Sequence, residues 1–156
     1  MSKEKIEIFD FEKLKVYQKS LDLIDSIYDA ADKFPSIEQF NLTLQFKRAA
    51  NSISLNIGEG SGGSRKEFIK FLTISRRSLR ECVVCTTIAF RRKYIDEKTQ
   101  SSLRNQLTEV SKMISGFINY LDSDIAKNNL SEPVIEYEIQ KRIQSTNSEL
   151  STPNPN

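Results

Sequence analysis

The sequence of 156 residues contains no histidine and only two cysteines, which excludes several kinds of catalytic and metal site. Without histidine, neither a Ser-His nor a Cys-His pair can activate a nucleophile. Cys82 and Cys85 have C-x-x-C spacing, but a zinc site needs about four ligands and the chain supplies no second pair. A redox pair would open a helix after a strand, whereas these residues fall in the middle of a predicted helix. We therefore expect two buried free thiols, no metal and no cofactor.

Long apolar segments are also missing. The longest mostly apolar run, 82–90, is about half of what a membrane-spanning helix needs, and it includes two threonines. The N-terminus is charged and has no apolar stretch of the signal-peptide kind. These features predict a soluble, cytoplasmic protein with no membrane partner. Its length is most simply one domain, large enough to bury a core.

Positive charge is concentrated in the middle of the chain, although the net charge is only +2. Residues 1–40 and 94–156 each carry a net charge of −3, whereas residues 41–93 carry eleven basic and three acidic side chains, a net charge of +8. Such segregation steers anionic partners even when the net charge is small. The middle third is therefore predicted to hold the surface that meets an anionic partner.

Four segments show the alternating three- and four-residue spacing of helices that bury one face. The predicted buried rows are, in chain order, Leu14, Tyr17, Leu21, Ile24, Tyr28 and Ala31; Leu42, Phe46, Ala49, Ile53 and Ile57; Phe68, Leu72, Ser75, Leu79, Cys82, Thr86 and Ala89; and Leu103, Leu107, Val110, Ile114, Phe117 and Leu121. With short connections and no strand-like alternation, these segments predict an all-α, up-and-down four-helix bundle over residues 9–128. Residues 1–8 are predicted to be a flexible N-terminus, and 129–156 a partly disordered tail with a short helical pattern at 133–144.

Local signals predict where the helices begin and end. The Phe34-Pro35 pair ends the first helix, because the residue before a proline avoids the α-helical region. Residues 36–39 and 64–67 have the S-x-x-E/Q form of a capping box and are predicted to open the second and third helices. Asp96 is predicted to cap the fourth helix.

A glycine-rich stretch, NIGEGSGGSRKEF, lies between the second and third helices. Gly58, Gly60 and Gly63 fit the pattern G-x-G-x-x-G, but a dinucleotide site needs a strand before the glycines and here a helix precedes them. We predict instead a helix C-cap and turn, where glycine tolerates a positive φ. An anion site at the start of the third helix, beside Arg65 and Lys66, stays open as an alternative.

Basic residues follow the outer side of the third helix, opposite its buried row. The basic stripe consists of Lys66, Lys70, Arg77, Arg80 and Arg91 in a sector about 80° wide, with Arg76, Arg92 and Lys93 at its flanks. One interpretation is an ordinary solvated face. The other is a surface for a nucleic-acid backbone, bound without reading its sequence because few aromatic residues are interleaved for stacking.

Apolar residues share the outward side of this helix. Val84 and Ile88 lie in the sector of the basic stripe, and Ile74 and Cys85 lie beside it. A second apolar patch on a helix that is already buried along one face predicts an interface between subunits.

The second helix carries a polar line at helical spacing, formed by Gln45, Arg48, Ser52, Asn56 and Glu59. If the line were a catalytic site, it would offer one carboxylate, an amide and a hydroxyl. It would lack a second acid, a general base and a set of metal ligands. As structure, Glu59 and Asn56 would hydrogen-bond the glycine-rich turn, and Arg48 and Gln45 would satisfy polar groups between helices or subunits. We favour the structural interpretation.

Residues 9–125 resemble the four-helix-bundle family of intervening-sequence proteins, which are encoded by insertions in the large-subunit ribosomal RNA gene. The matching positions are Phe11, Leu14, Val16, Tyr17, Gln18, Gln45, Arg48, Ala49, Ala50, Ser52, Ile53, Asn56, Ile57, Glu59, Gly60, Lys66, Glu67, Phe68, Phe71, Leu72, Ile74, Ser78, Leu79 and Glu81. Ser54 stands where proline is usual and Arg77 where glycine is common, so the charge of this surface is predicted to be particular to this member.

The resemblance implies an up-and-down bundle that assembles into a ring-shaped homo-oligomer, with a pentamer favoured. The similar accessory proteins of diversity-generating retroelements bind nucleic acid through a basic surface. The resemblance itself supplies no activity. Our leading hypothesis is a non-enzymatic homo-oligomer that binds nucleic acid, structured RNA above all, through the basic stripe. The alternative is a scaffold or assembly factor that binds another protein and has no nucleic-acid activity.

Overall fold

The computed structural model describes residues 6–128, and this part of the chain contains helices and no β-strand. The long helices are α1 (Lys15–Ala31), α2 (Leu42–Ser61), α3 (Arg65–Arg91) and α4 (Glu97–Asn128). Short 3-10 helices at Asp10–Lys13 and Ser36–Glu38 precede α1 and α2. The predicted all-α architecture is confirmed. The predicted tail, 129–156, and its helical pattern at 133–144 lie outside the described residues, as do residues 1–5.

Each helix packs against two neighbours. α1 contacts α2 and α4, and α3 contacts the same two helices from the other side of the bundle. Between α1 and α2, Asn51 Nδ2 donates to Tyr28 Oη at 2.8 Å. Between α1 and α4, Lys19 Nζ lies 3.3 Å from Glu109 Oε1. α1 and α3 therefore occupy one diagonal of the bundle, and their outer faces point in opposite directions.

The core is built from the rows that the spacing predicts on α2, α3 and α4. Every residue predicted to be buried on α3 and α4 is buried, and on α2 the row is buried except for the half-buried Leu42. Phe46, Phe68 and Phe117 are the largest of these side chains. Because burial of a large apolar side chain stabilises by about 1.5–3 kcal/mol, these three helices account for most of the hydrophobic stabilisation.

The prediction for α1 is right at its two ends, Leu14 and Ala31, which are buried, but wrong in the rotation of the helix between them. The buried residues are Val16, Ser20, Leu23, Ile27, Ala30 and Ala31, so the buried row lies about one position away from the predicted row. Leu21, predicted to be buried, is exposed. Two adjacent rows of α1 have the spacing of a helix face. The row that is buried includes a serine, which made it look the less apolar of the two. Ser20 is tolerated in the core because its hydroxyl donates to Tyr17 O at 2.6 Å.

Two of the three predicted N-caps are confirmed. At the start of α3, Ser64 Oγ accepts from the amide of Glu67, and the Glu67 carboxylate accepts from the amide of Ser64, which is a complete capping box. Thr99 N donates to Asp96 Oδ1 at 2.7 Å at the start of α4. The predicted box at residues 36–39 is wrong, because this segment forms a separate 3-10 turn and α2 begins only after Asn41.

Gly60, in the last turn of α2, serves close packing rather than a positive φ. No glycine of the chain has a positive φ, and α2 continues through Gly58 and Gly60 to Ser61. A Cβ on Gly60 would lie 2.5 Å from Phe71 Cβ and 2.9 Å from Phe68 Cδ2, so α3 sits directly against the α2 backbone. The predicted glycine C-cap and turn are present at Gly62, but the predicted positive φ is wrong, because Gly62 has a φ of −79°.

Candidate nucleic-acid interface

The basic stripe lies on the outer side of α3, as its spacing predicts. The exposed members are Lys66, Lys70, Arg77, Arg80, Arg91, Arg92 and Lys93, and Arg76 is half-buried. Within residues 6–128, none of these cations forms an ion pair with a carboxylate. An unpaired exposed cation keeps its full attraction for an external anion, so α3 presents a positive face, interrupted between Arg80 and Arg91 by the exposed Val84 and Ile88.

The two carboxylates nearest to the stripe are held by other groups. Glu67 accepts from Ser64 N at 2.8 Å and from Ser64 Oγ at 2.7 Å. These hydrogen bonds, the backbone one first, lower the pKa of Glu67, so the carboxylate stays charged at neutral pH. Glu81 accepts a hydrogen bond from Gln45 Nε2 of α2. Both carboxylates therefore serve helix capping or helix packing.

The start of α3 offers little room for an outside anion. The capping box already satisfies the amide of Glu67, and it holds the negative Glu67 carboxylate against Ser64, where it would repel a phosphate. Arg65 turns toward α4, where its Nε lies 2.8 Å from Asp124 Oδ2, and both side chains are mostly buried. The alternative of an anion site beside Arg65 and Lys66 is therefore not supported by the geometry.

The other end of the stripe connects to the start of α2. The Arg92 guanidinium lies 6.0 Å from the centre of the Tyr94 ring, and Tyr94 Oη donates to Glu38 Oε1 at 2.9 Å. Hydrogen bonding with Tyr94 raises the pKa of Arg92, which keeps it charged. Lys93, just after the C-cap of α3, has a φ of 62°, an unusual value for lysine. The chain thus turns so that Arg92 stands close to the segment before α2.

Two of the five members of the polar line on α2, Gln45 and Ser52, join α2 to α3. Gln45 bonds Glu81, and Ser52 Oγ accepts from Ser78 Oγ at 2.8 Å. Asn56 does not reach the glycine-rich turn, as its spacing suggested; its amide donates to Ser52 O at 2.7 Å, one turn earlier.

The remaining members of the line, Arg48 and Glu59, are exposed and have no hydrogen bond or ion pair with the described residues. The sequence analysis placed Ser75 correctly in the buried row of α3 but did not predict its bond: the hydroxyl donates to Ile53 O at 2.9 Å across the helix pair. The available signal was a small polar residue within an apolar row.

The predicted apolar patch on α3 loses one member. Ile74, Val84 and Ile88 are exposed, whereas Cys85 is only 3% exposed and belongs to the bundle core. The spacing placed Cys85 at the edge of the outward sector, but α2 packs closely over that edge.

Two further exposed leucines, Leu44 and Leu55, lie on the outer side of α2, and Leu55 is 68% exposed. Because Gln45 faces Glu81 and Ser52 faces Ser78, these leucines stand near the levels of Val84 and Ile74. We define the apolar patch as Leu55, Ile74, Val84 and Ile88, the exposed apolar side chains on the outer sides of these two helices. Leu44 instead lines a depression at the start of α2.

An acidic row occupies the opposite side of the bundle. Asp22, Asp25 and Asp29 are exposed along α1, and no described residue forms an ion pair with them. Because α1 and α3 are diagonal to each other, the acidic row faces away from the basic stripe.

The described residues offer no metal centre and no reactive thiol. Burial raises the pKa of Cys82 far above its ordinary value and that of Cys85 to about 11, so both remain neutral thiols. No three potential metal-ligating side chains cluster within residues 6–128. In the same part of the chain, every helix is too short or too polar to cross a bilayer.

The fold and its charged face define a small helical bundle with a cationic surface along one helix. Residues 12–116 match the model of the 23S rRNA-intervening sequence protein family, and the chain belongs to this family. A similar solved structure is that of a protein of unknown function from the S23 ribosomal protein family of Bacteroides thetaiotaomicron. It is 28% identical, has a TM-score of 0.62, and the match covers 66% of this chain and 97% of that chain. No curated protein matches the sequence.

Proposed function

We propose that this protein is a non-enzymatic homo-oligomer that binds the backbone of nucleic acid, structured RNA above all, through the basic stripe. The observation that carries this proposal is the row of exposed cations along α3, none of them paired with a carboxylate among the described residues. Because the family is named for intervening sequences of 23S rRNA, RNA is the first nucleic acid to test.

The dimensions of the stripe suit a polyanion. From Lys66 to Arg91 the helix rises about 38 Å at 1.5 Å per residue, so its cations can meet several successive phosphates. Backbone contacts of this kind position a nucleic acid without specifying its sequence. If five cations each release one counterion, the logarithm of the binding constant should fall with the logarithm of salt concentration with a slope of roughly −4.

Self-association would use the apolar patch of α2 and α3. Exposed leucine, isoleucine and valine side chains from two helices form the kind of surface that subunits bury against one another. A closed ring, with a pentamer favoured, would repeat the basic stripe around its axis and multiply a modest monomer charge.

The test is fluorescence anisotropy of a labelled structured RNA from 50 to 200 mM salt. We expect tight binding that weakens steeply with salt, and loss of binding in an Arg77/Arg80/Arg91→Glu variant. Multi-angle light scattering on both proteins checks that their oligomeric mass is equal. Absence of binding at physiological salt would refute the proposal.

A matched control separates the position of the charges from their number. Lys15 on α1 and Arg104 and Lys112 on α4 are exposed and lie outside the stripe. Changing these three residues to glutamate alters the net charge by the same amount as the stripe variant. We expect this control to bind RNA with at least most of the wild-type affinity; equal loss in both variants would mean that only net charge matters.

A second candidate function is a protein scaffold, which the apolar patch favours. An apolar protein contact would be nearly insensitive to salt, in contrast to a phosphate contact. Capture of a protein partner that survives high salt, with no RNA affinity, would support this candidate.

A further inference from the structure

A depression lies at the start of α2, next to the end of the basic stripe. Its lining includes Glu38, Phe40, Asn41, Leu44, Gln45 and Arg48. It is connected to the stripe through Tyr94, which bonds Glu38 at 2.9 Å and stands under the Arg92 guanidinium. A strand that follows the stripe past Arg92 would therefore arrive at this depression.

Phe40 has no packing role in the bundle. Its side chain is 84% exposed, whereas the neighbouring Phe34 and Phe46 are buried and stack with their ring centres 6.4 Å apart. An exposed phenylalanine forgoes the stabilisation that burial would give. A flat, accessible ring beside a cationic surface is the element on which nucleobases stack.

Amide groups stand beside this ring. Asn41 occupies the N-cap position of α2, yet its side chain makes no capping hydrogen bond and is exposed. Gln45 uses its Nε2 to bond Glu81, which leaves its carbonyl oxygen available as an acceptor. The depression thus offers donors and acceptors of the kind that bond the edges of unpaired bases.

The charge of the depression suits a phosphate. Arg48 is exposed and has no ion pair with the described residues. The one carboxylate in the lining, Glu38, already accepts from Tyr94 Oη and from Leu42 N, the latter at 3.3 Å. Arg48 can therefore continue the path of cations beyond Arg91 and Arg92.

We propose that this depression receives an unpaired nucleobase of an RNA whose backbone lies on the basic stripe. Phe40 stacks on the base, Asn41 and Gln45 bond its edge, and Arg48 holds the adjoining phosphate. This inference rests on the proposed function and narrows its ligand: the protein prefers a duplex that ends in, or is interrupted by, unpaired nucleotides.

The test compares three kinds of RNA in the anisotropy assay. The first is a blunt duplex, and the second is the same duplex with three unpaired nucleotides, at the 3′ end in one version and at the 5′ end in another. The third kind carries the same overhangs with abasic sites. The abasic overhang keeps the added phosphates and removes the bases. We expect the base-containing overhang to bind roughly 5- to 150-fold tighter than the abasic one, the range that stacking of one base gives. Fluorescence of 2-aminopurine placed in the overhang should be quenched on binding.

Variants assign the effect to the ring. Phe40→Ala should bind the base-containing overhang no better than the abasic one, whereas Phe40→Trp should keep the preference for the base-containing overhang. Neither substitution should change the affinity for the blunt duplex. Ile37→Ala is the matched control, because Ile37 is 82% exposed and lies outside the lining of the depression. It should behave as wild type with all three RNAs.

The outcomes separate this inference from the proposed function. Equal, salt-sensitive affinity of the wild type for the base-containing and abasic overhangs overturns the base site and leaves the stripe standing. Failure to bind any of the RNAs overturns both. A smaller oligomeric mass for Phe40→Ala also overturns the base site, because it would assign Phe40 to a subunit interface.

Discussion

Gly60→Ala should destabilise the protein although it replaces glycine inside a helix. Ala is favoured over Gly in helix interiors by up to about 1 kcal/mol, and Gly60 has a φ that alanine can adopt. The new Cβ, however, would lie 2.5 Å from Phe71 Cβ, an atom fixed to the α3 backbone. α2 and α3 would have to separate by roughly 1 Å in a close-packed interior to relieve this contact.

The size of the effect follows from these opposing contributions. Overpacking a core typically costs about 1–3 kcal/mol, and more when backbones must move. After the gain in helix propensity, we expect Gly60→Ala to lower the free energy of unfolding by about 1–2 kcal/mol. Gly58→Ala is the matched control two residues earlier in α2. Its Cβ would meet Phe11 at an ordinary 3.4 Å, so we expect a gain of about 0.5–1 kcal/mol.

The assay is urea unfolding of the three proteins, followed by circular dichroism at 222 nm and fitted with a shared m-value. We expect the free energy of unfolding to fall in Gly60→Ala and to rise in Gly58→Ala. A Gly60→Ala protein as stable as Gly58→Ala would show that α3 does not rest on the backbone of α2 at this position, and the packing argument would fail.

Four further predictions concern two ion pairs, a helix cap and the buried thiols. Asp124→Asn should lower the free energy of unfolding by about 1–3 kcal/mol because Asp124 is 14% exposed and its arginine partner is also largely buried. Asp32→Asn should cost only about 0.2–1 kcal/mol, since Asp32 is 64% exposed. Hydrogen bonds lower the pKa of the Glu67 carboxyl in the folded protein below its value of about 4.3 in the unfolded chain. The charged carboxylate therefore stabilises the fold fully above the unfolded pKa, and this stabilisation is lost as the pH falls through the lower folded pKa. The Tm of the wild type should exceed that of Glu67→Gln by less below about pH 4. Cys82 and Cys85 should resist iodoacetamide at pH 8 until the protein is unfolded.

Each of these predictions has a contrary result. Equal losses for the two aspartate variants would mean that burial does not distinguish the ion pairs. A difference between wild type and the glutamine variant that persists undiminished at pH 3 would separate the capping box from the carboxylate charge. Rapid alkylation of the native protein would show that the thiols are accessible from solvent.

The sequence carried most of the information about α3 and α4, because each has one apolar row and the opposite side is plainly polar. α1 has two adjacent rows with the same spacing, and the choice between them depends on the direction from which the chain enters the helix after Leu14. The role of Gly60 was hidden for a related reason. A glycine in the sequence is compatible both with a turn and with a close contact between helices. Only the short distance from a Cβ at Gly60 to Phe71 Cβ distinguishes the two.

The candidate site shows the same division between local and tertiary information. The exposure of the basic stripe could be predicted because helical geometry places its members opposite the buried row. The burial of Cys85 and the bond from Gln45 to Glu81 depend on how closely α2 approaches α3, which spacing along one helix does not express. The depression beside Phe40 could not be predicted at all, since it is formed where a 3-10 turn joins a helix and the sequence there suggested one continuous helix.

The diagonal arrangement of the acidic row on α1 and the basic stripe on α3 gives the folded molecule an electric dipole across its width. Near a polyanion, the field exerts a torque that turns α3 toward the ligand and α1 away from it before any contact forms. Because the net charge is only +2, a polyanion attracts the molecule as a whole weakly. The separation of the acidic row from the basic stripe lets the same field orient the molecule more effectively than it attracts it. Its charge pattern therefore acts mainly on orientation, and raises the fraction of collisions that begin with the correct face.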